Sequence, residues 1–174
     1  MPKRPSDAFR ITTSYIRKKL RNAPRVVGTA LVNDTRKRLS QGRGADGQPL
    51  QKRKFDFRPG GQVLYRRGNL ARSVRYDVLG QGKLRILAGD DQKVQYAKIH
   101  NEGGSIAVTP KMKRYHWAME RKSRGAKKSF HKAMALKKVG SKIKMPKRTY
   151  LAITPHTRQI VQRELNEYLQ RSEL

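Results

Sequence analysis

Cysteine is absent from this 174-residue chain. Disulfides, thiolate metal sites and cysteine nucleophiles are therefore excluded. Acidic residues are scarce: 12 Asp and Glu stand against 42 Lys and Arg, so no cluster of carboxylates is seen that could hold the metal of a nuclease. No apolar run approaches the ~18 residues that a membrane span requires, and no membrane partner is expected. The first ten residues, MPKRPSDAFR, carry charge but lead into no apolar segment. No secretory signal is expected, and the chain reads as one made and assembled in a cytoplasm. The four histidines, His100, His116, His131 and His156, lie far apart, and no two show a metal spacing such as H-x-x-x-H. Solvated or internally satisfied rings are expected, with no metal and no cofactor.

What is present is charge of one sign: a formal +30. Such a balance calls for a polyanionic partner or an acidic protein surface. By itself it suggests an RNA-binding protein of ribosomal type. The 36% of hydrophobic residues fall in periodic runs, which favours a folded domain over a disordered basic tail. No repeat or composition break appears, so residues 1–174 are read as one domain.

Phe9, Ile16 and Leu20 follow a helical spacing after the N-cap candidate Ser6, and Val27, Ala30, Leu31 and Leu39 continue it beyond Pro24. This predicts helices over 7–21 and 24–39, or one helix kinked at the proline. Residues 41–61 are rich in Gly and Pro and read as an extended loop whose removal leaves the fold intact. Gly42, Gly44 and Gly47 match G-x-G-x-x-G, but a predicted helix precedes them and Pro49 follows, so a flexible turn is expected and not a dinucleotide site. Two alternating runs, Val74-Tyr76-Val78 and Leu84-Ile86-Ala88, flank Gly80-Gln81-Gly82 and predict a hairpin with one apolar face. A short helix over 94–101 stops at Gly103-Gly104, and 105–109 and 141–145 read as strands. Thr154 and Pro155 open a last helix with Ile160, Val161, Leu165, Tyr168 and Leu169 on one stripe. The expected fold is α+β: a small antiparallel sheet packed by amphipathic helices, with a long loop and a C-terminal helix.

No residue pattern predicts catalysis. Asp90-Asp91 reads as a solvated hairpin end, since a calcium site would need six or more oxygen ligands, and no nucleophile elbow is present. The basic stretch carries more weight. From Lys111 to Arg148 there are fifteen Lys and Arg, with Glu120 the only acid and Tyr115, His116, Trp117 and Phe130 interleaved. Residues 111–138 are read as a basic helical insert broken at Gly125. Lys111, Lys113, Arg114, Arg121, Lys122, Arg124, Lys127 and Lys128 are the candidate contacts to phosphates or to an acidic partner. Tyr115 and Trp117 either stack on single strands or cover the core beneath lysine and arginine stems.

Four segments in order bear a family resemblance: Ala45-Asp46-Gly47; Leu64 through Gly68, Leu70 and Ser73; Tyr96, Ala97, Ile99, His100 and Gly103; and Pro146, Arg148, Tyr150, Leu151 and Ile153. Over roughly residues 30–169 the chain resembles the phage virion morphogenesis family, the tail completion proteins of Mu-like and P2-like phages. The resemblance implies a structural virion protein of the neck or tail, not an enzyme. It implies a homo-oligomeric ring, expected to be sixfold to match a tail tube, between neighbouring neck and tail proteins and around packaged DNA. Asp46, Gly47, Gly68, Leu70, Tyr96, Ala97, His100, Gly103, Pro146 and Arg148 are then a structural signature. His100 is expected to fix the Gly103-Gly104 turn through a ring hydrogen bond.

Overall fold

The computed structural model describes residues 5–53, 61–80, 82–90 and 94–171, with the backbone alone for 5–16. The first element is one uninterrupted helix, α1 (Pro5–Ser40), with Pro24 inside it. Pro24 has no N–H to donate within the helix, but it is buried with Ala23, Val27 and Gly28, so its ring contributes to packing. At about 1.5 Å per residue α1 is roughly 54 Å long, and the rest of the chain is arranged along it.

Residues 41–53 are no detached excursion. Gly42, Gly44, Ala45 and Leu50 are buried, Arg43 and Pro49 form a bridge, and Leu50 N donates to Gly42 O at 2.8 Å. Removing this part would take core groups with it, contrary to the expectation of a dispensable loop. Residues 54–60 of that span lie outside the described residues.

The short helix α2 (Asn69–Arg72) leads into β1 (Arg75–Gly80), which pairs antiparallel with β2 (Lys83–Leu87). Tyr76, Leu84 and Ile86 turn toward α1, while Asp77 and Arg85, paired in register, form an exposed 3.0 Å ion pair on the other face. Next come α3 (Ala97–Glu102) and β3 (Gly104–Ala107). β3 pairs not with the first hairpin but with β4 (Lys142–Met145). The strands thus form two two-stranded ladders, because α3 intervenes after β2 and the helices α4 (Pro110–Lys122) and α5 (Gly125–Ala135) rise between the paired strands. The last helix, α6 (Pro155–Gln170), opens as expected: Thr154 Oγ1 accepts from Thr157 N at 3.2 Å and Pro155 occupies the first turn.

Two apolar clusters make the core. Val32, Leu39, Leu70, Val74, Val94, Ala97 and Tyr150 form one; Val27, Leu31 and Ile160, with Val161 and Leu165 partly covered, form the other, where α6 lies on α1. Lys19 fastens the far end of that helix pair by donating to Leu169 O at 3.1 Å, a cation satisfying the carbonyls of a helix C-terminus. Leu169 itself is 47% exposed, so the apolar stripe of α6 packs through Ile160, Val161 and Leu165 and not through Leu169 as expected.

Tyr76 lies close over Gly28, where a Cβ on the glycine would sit 2.6 Å from the ring. Ala gains about 1 kcal/mol of helix propensity over Gly, but overpacking costs about 1–3 kcal/mol. The Cβ would strike the ring near its attachment, which cannot swing aside. Gly28→Ala is therefore expected to lower stability by about 1 kcal/mol net in urea unfolding, and Gly28→Ala combined with Tyr76→Ala to relieve the clash.

Candidate functional site

The signature segments converge. Asp46 Oδ1 accepts from Gln48 N at 3.0 Å and closes the turn at Gly47, whose φ is 78°. Ala45 N donates to Thr149 O at 2.8 Å, and Thr154 Oγ1 donates to Ala45 O at 3.2 Å. The buried Arg148 donates from Nε to Gln51 O at 2.8 Å, and its own N–H donates to His100 O at 2.8 Å. Burial, and then the charge of Arg53, lower the pKa of its guanidinium. Asn101 Oδ1 accepts from Tyr150 N at 3.0 Å and Leu151 N at 2.9 Å, and its Nδ2 donates to Leu151 O at 3.2 Å. Tyr150 Oη donates to Ala97 O at 3.0 Å, and burial, before the negative charge of neighbouring groups, raises its pKa. Gly103 has φ 76°, and a Cβ there would meet the Lys147 backbone at 3.1 Å, so this crossing of α3 and 146–154 favours glycine twice over.

Gly68, with φ 71°, precedes α2, Leu70 is fully buried and Ala97 nearly so, Pro146 is half-buried, and Tyr96 stays exposed with its ring edge toward His100. The Nδ1 atom of His100 is buried without a hydrogen-bond partner among the described residues, so this nitrogen does not fix the turn. Burial first, and Arg148 second, push its pKa below the ordinary 6.5. Asn101, whose importance no sequence pattern signalled, fastens α3 to Tyr150 and Leu151.

The second assembly of candidate residues is a helical arm. β3 and β4 form its stem, extended by Val108 N donating to Ser141 O at 2.9 Å and Gly140 N donating to Val108 O at 2.9 Å. Thr109 caps α4 by accepting from Met112 N at 3.1 Å, with Pro110 in the first turn. Ser123 and Arg124 are extended, and α5 starts at Gly125 with φ 55°. The two helices pack chiefly on each other, with His116 meeting Phe130 and His131, and Met112, Met119, Met134 and Ala135 are partly or fully covered.

The eight candidate cations are all in this arm, but not on one surface. Lys111, Arg114, Arg121 and Lys122 are exposed, and helical geometry gathers them within about 100° of the α4 circumference. Ala118 lies in the middle of that face. Tyr115 and Trp117, 56% and 39% exposed, flank it, so neither covers the core. Lys113 is half-buried on the side that packs. Arg124 is in the turn, and Lys127 and Lys128 are in the first turn of α5, where Lys128 Nζ lies 3.6 Å from Glu120. The one acid of the region is thereby engaged.

Two further features escaped sequence reading. His116 and His131 meet, Nδ1 to Nδ1 at 2.8 Å, so these two rings are not separately solvated. Only the pairing of α4 with α5 joins residues fifteen apart. Between α1, α6, β2 and residues 151–153 runs an apolar groove of about 970 Å³, lined among others by Val27, Leu31, Leu84 and Leu165. Two of its lining aliphatics, Leu20 at 59% and Ile153 at 81%, stand open to solvent. Among the described residues no group of three His, Cys, Asp or Glu is arranged to hold a metal, and no helix is long and apolar enough to cross a membrane.

A family model described as the phage virion morphogenesis family matches residues 9–170. No curated protein and no solved structure matches the chain. The matched span includes both the convergent loops and the basic arm.

The hydrogen bonds of the convergent loops rank their side chains. Asn101→Ala leaves two N–H groups and one carbonyl in partly buried surroundings, each worth about 1–3 kcal/mol when unsatisfied. Tyr150→Phe removes one hydrogen bond, about 1 kcal/mol. Urea unfolding is expected to show Asn101→Ala as the more damaging by at least about 1 kcal/mol.

Proposed function

The chain belongs to the phage virion morphogenesis family, and on that premise we propose that it is a structural subunit of the virion neck that completes the tail and joins it to the head. It acts as a homo-oligomeric ring, sixfold to match a tail tube, and performs no catalysis. One copy covers the apolar groove of the next. The arm contacts DNA passing through the ring, without reading its sequence.

The observation that carries the DNA contact is the exposed face of α4. Lys111, Arg114, Arg121 and Lys122 present a basic row along roughly 17 Å of helix, with the small Ala118 at its centre and aromatic rings at both sides. Phosphates bound by such a row release counterions, a driving force that is independent of sequence. Family membership and the absence of any base-reading motif support this over the ribosomal-type alternative. Assembly is supported by the groove. An apolar concavity with Leu20 and Ile153 exposed in its lining is a surface that a monomer leaves uncovered and an oligomer buries. The overall charge bears on both parts, since copies carrying +30 each repel unless a polyanion lies between them.

Replacing Lys111, Arg114, Arg121 and Lys122 by Glu tests the DNA contact. The intact protein is expected to bind unrelated duplexes equally. Affinity should fall with salt on a log–log slope of about −0.9 per phosphate neutralised, and the replaced protein should lose up to about 3.6 of that slope. A variant that still binds DNA but no longer enters particles would assign the arm to an acidic neck or sheath protein. For the ring, Ile153→Asp is expected to leave the far-UV spectrum unchanged and to convert a discrete large species, resistant to nuclease, into monomer on sizing. An unchanged large species would remove the groove from the interface.

A further inference from the structure

The contact between His116 and His131 sits at the centre of the arm. Their Nδ1 atoms are 2.8 Å apart, with ring centroids at 5.1 Å. His116 is buried, Tyr115 sets its ring edge-on to both imidazoles, and Phe130 packs edge-on against His116. Two neutral rings can share one N–H between these nitrogens, with either as donor. Two protonated rings cannot, because two N–H donors and two positive charges would then face each other.

The surroundings offer little relief. Helical spacing directs Lys113 and Glu120 from α4, and Lys127 and Lys128 from α5, toward the same packed side, with the Tyr115 phenol beside the pair. The only carboxylate among them, Glu120, is 3.6 Å from the Lys128 ammonium. The same excess of cations disfavours a divalent metal bridging the rings.

We propose that the His116–His131 pair is a proton-operated latch that holds α4 against α5 at neutral pH and releases the arm on acidification. The direction follows from linkage. Burial, with the adjacent His131 as the smaller cause, holds His116 below the ordinary imidazole value of 6.5. The closed arm therefore binds fewer protons than the opened arm as pH falls below 6.5. Its stability is complete above that value and is lost progressively beneath it. The latch goes beyond the neck reading and needs no nucleic acid.

Trp117, the only tryptophan of the chain, neighbours His116 and reports on the arm. Intact protein titrated from pH 7.5 to 5 in the presence of chelator is expected to show a reversible change in Trp117 emission. Amide protection in 110–135, corrected for intrinsic exchange, should fall by up to about tenfold per pH unit below 6.5. His100→Gln should keep this behaviour. His131→Gln should weaken it, since the repulsive partner is gone and the amide oxygen accepts from a protonated His116, although burial of that ring remains. The double variant His116→Gln with His131→Gln should be flat. Unchanged arm protection in the wild-type chain, or the same loss in either His131 variant, would overturn the latch. Far-UV circular dichroism establishes that each variant is folded, and His131→Gln decides alone if the double variant is not.

Discussion

The buried guanidinium of Arg38 is the constraint on which the rest of the structure depends. It projects from the last turns of α1 and makes four hydrogen bonds: Nε to Asp34 at 2.7 Å, Nη1 to Gly44 O at 2.8 Å and Tyr150 O at 3.3 Å, and Nη2 to Thr35 Oγ1 at 3.1 Å. A buried charge with a missing partner costs several kcal/mol, so the cation tolerates little displacement of the loops it meets. It ties the long helix to the turn at 44–47 and to the strand-like segment at 150. Asp34 in turn reaches His156 at 3.1 Å in the first turns of α6. One side chain thus sets the relative position of α1, the Asp46 turn and the approach to the final helix.

The cations fall into two kinds. Arg38, Arg148 and Lys19 are buried and matched to carbonyls. In the arm the cations are many and exposed, and a single carboxylate stands among them. The Arg38 node gives a rigid body, and the β3–β4 ladder carries the arm away from it on four register pairs. An arm anchored through a narrow stem can change its own packing without disturbing the core. That is why the histidine pair is placed where a proton can act on α4 and α5 alone, and why a basic surface can be offered to a polyanion without weakening the fold by self-repulsion at its centre.

The local elements were legible because their signals are local. Thr154-Pro155 caps α6, Gly80 and Gly82 bound the hairpin turn, Gly125 starts α5, and the alternation around Tyr76 and Ile86 marks a hairpin with one covered face. Pro24 did not stop α1, since packing of the buried ring outweighs one absent hydrogen bond. Leu169 did not pack, since the α1–α6 contact gives out before the last turn of α6.

By itself, then, the sequence determined the α+β class, the run of elements, the family and the concentration of positive charge in residues 111–148, all of which are properties of neighbours along the chain. Only the tertiary structure decided which residues meet at a distance. Asn101 reaches Tyr150, Arg38 reaches Gly44 and Tyr150, and His116 reaches His131. It also sorted the cations of the arm, turning Lys113 inward and leaving four on one open face. The physical reason is that periodicity specifies which side of an element is apolar but not what covers it. Polar partners far apart in sequence are chosen by the need to satisfy buried donors and acceptors, and that need exists only once the elements have packed.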